Sequence, residues 1–146
     1  MEYLEVYGYI GLLIGSFLAA TIVPFASEAL FIALLANGFD PFVCLIIATI
    51  GNTAGGMTSY GLGYFLKWKW LTKYFGWKPS HLDRWHNKVD KHGAWWSLLC
   101  WAPVIGDVIA IVLGVLKVNL WRVLLGMIIG KLLRYGFLIY TYQLTQ

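Results

Sequence analysis

Glu28 and Asp107 are the residues best placed to do chemistry, because each is the one charge inside a long apolar run, 6–36 and 93–116 respectively. Each follows a proline by four residues, in Pro24-Phe25-Ala26-Ser27-Glu28 and Pro103-Val104-Ile105-Gly106-Asp107. An ionisable group at membrane depth costs on the order of several kcal/mol, so it is rare and points by default to a substrate or proton pathway. The second acid lies 79 residues after the first (107 − 28), which suggests an internal repeat. Two bases are available to answer the acids. Lys131 and Arg134 fall near the middle of a long stretch, 119–142, whose one other charge is Arg122 near its start, and they are too deep for their side chains to snorkel easily to water. Asn52 falls at the middle of another apolar stretch, 42–66. There it can orient a carboxylate or a phosphate oxygen, or tie one helix to the next. The simplest accounting is a cluster of two acids and two bases, with Asn52 beside it. It serves as a substrate or proton site, or as a structural ion-pair network.

The chain that must position these residues is apolar. It has 146 residues, of which 60% are hydrophobic and 12% charged, and its mean hydropathy is +0.69. A soluble domain carries about 25% charge. An all-α polytopic membrane protein is therefore expected, as one membrane domain covering 1–146. The acidic start, Met1-Glu2-Tyr3-Leu4-Glu5, has no basic segment before the apolar run, which argues against a cleaved signal peptide. Cys44 and Cys100 read as buried free thiols.

A membrane helix needs about 20 apolar residues. The stretches 41–66 and 119–142 are long enough to span. The run 6–36 is too long for one straight span, too short for two, and interrupted by Pro24. A re-entrant hairpin over 8–38 fits it, entering and leaving on one face. Backbone of that kind is tolerated at depth only where protein or a water-filled cavity surrounds it. The segment 93–117 fits either a span or a second hairpin, broken around Pro103 and Gly106. Charge favours the hairpin, since Lys117 and Arg122 then stay on the same side as the basic middle segment.

That middle segment, 67–92, holds Lys67, Lys69, Lys73, Lys78, Arg84, Lys88 and Lys91 against Asp83 and Asp90. Its basic and aromatic mixture reads as an amphipathic element on the cytoplasmic face of the membrane rather than a nucleic-acid patch. Pro79 and Ser80 open a short helix there, with Gly93 as its stop. Both termini are then outside. Gly51 and Gly130 share the 79-residue offset, as do Asp40 and Asn119. Two hairpin-plus-span units, 6–66 and 93–142, thus form an inverted-topology repeat, a design that binds substrate near the midplane at broken helices. Gly51 and Gly55 read as helix-packing residues, and so do Gly11 and Gly15. His81, His86, Asp90 and His92 make no complete ligand pattern, so no metal is expected. The glycine-rich run after Gly51 lacks the Gly-Lys-Ser/Thr of a phosphate loop. No serine or cysteine has a base at membrane depth, so neither an enzyme nor a cofactor is expected.

Four motifs carry a resemblance over nearly the whole chain: Ala20–Glu28, Gly51-Asn52-Thr53-Ala54-Gly55-Gly56, Pro103–Asp107 and Gly130-Lys131-Leu132-Leu133-Arg134-Tyr135. Together they resemble the DedA superfamily, also called the VTT or SNARE-associated Golgi family, in its short YqaA-like bacterial inner-membrane branch. The resemblance implies two opposed re-entrant hairpins and a functional acid at Glu28. It also implies flipping of polyprenyl-phosphate carriers, phospholipid scrambling, or membrane homeostasis linked to the proton-motive force. The chain departs from the pattern at hairpin two. Where the family has arginines three residues either side of the proline, this sequence has Cys100 and Gly106, leaving Lys131 and Arg134 to compensate. The expected function is a transporter or lipid flippase moving an anionic lipid or small ion. The alternative is a non-transporting membrane-homeostasis protein whose charges only stabilise the fold. Expected partners are membrane lipids, a polyprenyl phosphate or phospholipid among them, with protons and further copies of the chain as additional candidates.

Overall fold

The computed structural model describes residues 2–20, 26–66, 73, 76, 79–102 and 105–145, and every element among them is helical. In chain order the helices are α1 (Glu2–Ala19), α2 (Ala26–Ala36), α3 (Pro41–Phe65), α4 (Pro79–Leu98), a 3-10 turn (Leu99–Trp101), α5 (Ile105–Val115) and α6 (Leu120–Leu144). Among the described residues, only α3 and α6 are long and apolar enough to cross a membrane. At 1.5 Å per residue each is about 37 Å long, against a hydrocarbon core of about 30 Å. α2 and α5, of 11 residues each, reach only about 16 Å.

The 79-residue offset is written into the helix ends. α1 stops at Ala19 and α4 at Leu98. α2 and α5 begin at Ala26 and Ile105 and stop at Ala36 and Val115. α3 and α6 begin at Pro41 and Leu120 and stop at Phe65 and Leu144. The local chemistry repeats with them. Asp40 caps α3, its Oδ1 accepting from the N–H groups of Phe42 and Val43 at 2.8 and 2.9 Å. Asn119 caps α6, accepting from Trp121 and Arg122 at 3.0 and 3.4 Å. Such caps satisfy amide donors that the first helical turn leaves open. The ends of α2 and α5 also match. Phe39 N–H donates to Leu34 O and Gly38 N–H to Leu35 O, while Val118 N–H donates to Leu113 O and Lys117 N–H to Gly114 O. This left-handed closure places Gly38 at φ 83° and Lys117 at φ 51°. Glycine adopts it freely, and lysine accepts some strain to keep the same turn.

Two expectations need correction. α4 does not stop at Gly93. It runs from Pro79 through to Leu98, joining the basic segment to the first arm of the second helix pair. One glycine inside a helix costs only about 1 kcal/mol, and an apolar run on its C-terminal side carries the helix on. Gly106 is not a break either. It lies inside α5 and is buried, its N–H donating to Ala102 O at 2.9 Å. With no side chain it lets the Cys100 carbonyl approach, where a Cβ would lie 2.9 Å from the Cys100 carbonyl carbon. Pro24 and Pro103, the other expected breaks, lie outside the described residues.

α3 is the hub. Its first half meets α1 where Gly51 and Gly55 leave room for the backbone of Leu13 and Phe17. Its second half meets α5, where Gly63 faces Ile111 and Gly114 faces Tyr60 and Tyr64. Tyr60 Oη closes this contact by donating to Val118 O at 2.5 Å. Gly15 packs on Leu30, whereas Gly11 faces open space. Small residues allow this backbone approach where dispersion, not water exclusion, holds helices together. Two apolar clusters result. Leu12, Phe31, Leu34, Leu35, Cys44, Ala48 and Tyr135 form one. Tyr60, Ala110, Leu113, Leu116, Val123 and Met127 are in the other. The outer faces of α1, α3 and α6 expose Ile10, Ile14, Ile46, Ile50, Leu125, Leu133 and Phe137, an apolar surface far larger than a soluble monomer shows.

Candidate functional site

Between the two apolar clusters lies a polar layer, built from the middles of α3 and α6. Asn52 is the twelfth residue of α3 and Lys131 the twelfth of α6, and each helix has 25. Lys131 Nζ donates to the backbone carbonyl of Asn52 at 2.5 Å and also to its Oδ1. Asn52 Nδ2 in turn donates to Tyr135 Oη at 2.8 Å. The two partners in the lysine contact are themselves equivalent positions, 79 residues apart. Gly56 makes room, since a Cβ there would stand 3.2 Å from Lys131 Nζ and 3.1 Å from Met127 Sδ. Lys131 is 2% exposed. Burying an ammonium is expensive unless hydrogen bonds and charge partners replace its water. Two neutral carbonyl oxygens supply the first, and no ion pair supplies the second among the described residues.

One turn further along α6, Arg134 forms an ion pair with Glu28, Nε donating to Oε1 at 2.7 Å and Nη2 to the same oxygen. Arg134 is 9% exposed. Glu28 is the third residue of α2 and Asp107 the third of α5, each at a helix N-terminus, where the helix dipole favours negative charge. Asp107 lies within electrostatic reach of Lys131 and Arg134. It makes no hydrogen bond or ion pair to a described residue. Beside Glu28, Ser27 is fully buried and its hydroxyl has no partner among the described residues.

The residues singled out in sequence are thus brought together unequally. Arg134 takes Glu28, Lys131 takes Asn52, and Asp107 stands near both cations without touching either. Asn52 orients a cation here rather than a carboxylate. It also makes a helix-to-helix hydrogen bond, so its two candidate roles coincide. Tyr135 was not among the expected site residues. It is fully buried, holds Asn52, and packs its ring on Phe31 with centroids 5.0 Å apart. A tyrosine among apolar residues carries little signal, although its place one residue after Arg134 was visible. Among the described residues no group of three or more His, Cys, Asp or Glu could hold a metal, and Cys44 and Cys100 are buried free thiols. The side chains of His81, His86 and Asp90 lie outside the described residues.

Comparison with known proteins then bears on this layer. The model of the VTT domain matches residues 23–144, which takes in both acids, both bases and Asn52. The chain belongs to the VTT-domain family. Within it, this VTT protein is 33% identical over 136 residues to the inner membrane protein YqaA of Escherichia coli K12, covering 90% of this chain and 88% of that one. The Shigella flexneri protein of the same name matches equally. An uncharacterized protein of Haemophilus influenzae is 34% identical over 136 residues, covering 87% of this chain and 82% of its own. No solved structure matches the VTT protein.

Proposed function

We propose that this VTT protein is a transporter or flippase-like protein of the bacterial inner membrane, moving an anionic lipid or small anion through the polar layer between α3 and α6. The observation that carries this reading is Lys131, an ammonium buried at mid-helix whose hydrogen bonds to described residues go to neutral oxygens. A layer built only for stability would place a carboxylate on it, because an uncompensated buried charge is costly. A phosphate or carboxylate of substrate would complete Lys131. Glu28 and Asp107 would exchange protons or yield the cations as it passes. The inner-membrane setting rests on the names of the relatives.

The proposed topology is the inverted repeat, with two re-entrant hairpins, the basic segment cytoplasmic and both termini outside. Several contacts support it. The first helix pair closes at Gly38, beside the start of α3, and Ala20 at its far end packs at Gly55, halfway along. The second pair closes at Lys117, and Gly114 and Val118 there pack near the other end of α3, on Tyr60 and Tyr64. A cysteine introduced at Asn119 is expected to react with a membrane-impermeant thiol reagent from the cytoplasmic side. Reaction only from outside overturns the second hairpin.

In reconstituted liposomes, flipping of a fluorescent polyprenyl phosphate or anionic phospholipid is expected to fall at least about tenfold in Lys131→Met, the equivalent of about 1.4 kcal/mol. Glu28→Gln and Arg134→Ala should fall similarly. Unchanged rates in all three overturn the transport reading. The alternative, a non-transporting protein stabilised by its charges, is favoured by the Arg134–Glu28 pair and the Asn52–Tyr135 bond, which join α2, α3 and α6.

A further inference from the structure

A pocket of about 430 Å³ opens where the end of α3 meets the turn between α5 and α6, and Tyr60, Tyr64, Phe65, Lys117, Val118 and Asn119 are in its wall. Its size falls in the range of small-molecule sites, about 300–1,000 Å³. It is separate from the polar layer. Tyr64 lies twelve residues after Asn52 in α3 (64 − 52), or about 18 Å along the helix axis. Lys117 is exposed, and its Nζ stands 5.5 Å from the centroid of the Tyr64 ring. That ring is its one side-chain partner among the described residues, so no carboxylate there answers its charge. Asn119 uses its Oδ1 to cap α6, and its Nδ2 has no hydrogen-bond partner among the described residues. Tyr64 and Phe65 are exposed beside them, their rings edge to face at 5.5 Å.

The matching turn of the first half shows what the fold alone requires here. The residues 79 positions earlier are Gly38 for Lys117 and Asp40 for Asn119. Both turns close with the same pair of backbone hydrogen bonds and the same left-handed residue. Glycine takes φ 83° freely, whereas lysine at φ 51° carries strain that glycine would not. Strain of this kind collects at ligand clamps. Asp40 caps α3 as Asn119 caps α6, so the cap has no need of an amide. The two replacements turn a turn of charge minus one into a turn of charge plus one. Neither the turn nor the cap accounts for either of them.

We infer that this pocket binds the head-group phosphate of an anionic phospholipid, with Lys117 Nζ and Asn119 Nδ2 as its donors and the Tyr64 and Phe65 rings against the top of the acyl chains. Charge complementarity selects the occupant. An ammonium and an amide N–H can both donate to phosphate oxygens, and neither can accept. Aromatic rings with a polar edge suit the head-group level of a bilayer. A choline head group would bring a second cation to a place where Lys117 already lies on the Tyr64 ring. The inference needs a membrane around the chain but does not rest on the transport reading.

The test places the whole protein in phosphatidylcholine nanodiscs with a trace lipid, either phosphatidylglycerol or phosphatidylcholine, bearing a photoreactive group at the top of one acyl chain. Labelled peptides are then mapped. Phosphatidylglycerol is expected to label 60–65 and 117–120 several-fold more than phosphatidylcholine does, with no such preference at the matching turn, 38–41. Two variants borrow the residues of that first turn. Lys117→Gly removes the ammonium and relieves the backbone strain, so its melting temperature should be no lower than the parent's. Asn119→Asp keeps the cap and sets a carboxylate beside Lys117. Each should cut the preference several-fold, and the double variant should abolish it. Equal preference at the two turns overturns the proposal. So does a preference that survives in both variants, which would belong to the general basic surface of Lys67, Lys69 and Arg122. Displacement by excess inorganic phosphate would mark a site for a free anion and overturns the lipid assignment, as does a cross-link to a second copy of the chain through the pocket.

Discussion

Glu28→Ala is expected to destabilise the folded protein by about 3 kcal/mol, the cost of removing one partner of a largely buried ion pair. Arg134 is only 9% exposed, so little water replaces the carboxylate when it is removed. The measurement is reversible unfolding in mild detergent micelles. The exchanged pair Glu28→Arg with Arg134→Glu separates the two readings of the polar layer. If the layer only stabilises the fold, the exchange recovers most of the lost stability and any cellular phenotype together. If it is a transport site, stability returns and flipping does not, because the positive charge has moved from α6 to the start of α2. Lys131→Glu is not the partner for such an exchange. The ammonium of Lys131 is engaged with Asn52, not with Glu28.

The second large effect concerns the α3–α5 contact. Gly114→Leu is expected to cost at least about 3 kcal/mol, at or beyond the upper end of the usual range for overpacking. A Cβ at 114 would meet the Tyr60 carbonyl oxygen and stand 2.8 Å from Tyr64 N, while one at Gly63 would stand 2.9 Å from the Ile111 carbonyl carbon. These neighbours are helical backbone, which has no rotamer to give. The helices must separate, and the Tyr60 to Val118 hydrogen bond is lost with them. Gly61→Ala and Gly136→Ala are the controls, because nothing lies within 4 Å of a Cβ at either. Both sit in helices, where alanine is better than glycine by about 0.8–1 kcal/mol, so both are expected to raise the melting temperature. Equal effects at Gly114 and Gly61 would show that the α3–α5 approach is not as close as described.

Much of the architecture was legible because it is local. The matched polar residues Asp40 and Asn119, long apolar stretches around α3 and α6, and acids four residues after prolines are read within a few positions, and they recur at one offset. Gly93 misled because a glycine is only a weak stop inside a continuing helix. Gly106 misled because a glycine three residues after a proline looks like part of a turn, while its actual use is to admit a carbonyl from Cys100, six residues earlier.

The sequence by itself determined the two long apolar stretches that become α3 and α6, the charges inside apolar runs, and the offset of 79 residues between matching positions. Only the tertiary structure decided how those charges are shared: Glu28 to Arg134, Asn52 to Lys131 and Tyr135, with Asp107 touching neither base. The partners are 79 to 106 residues apart. Whether they meet depends on the rotation and depth of packed helices, which a linear pattern does not carry.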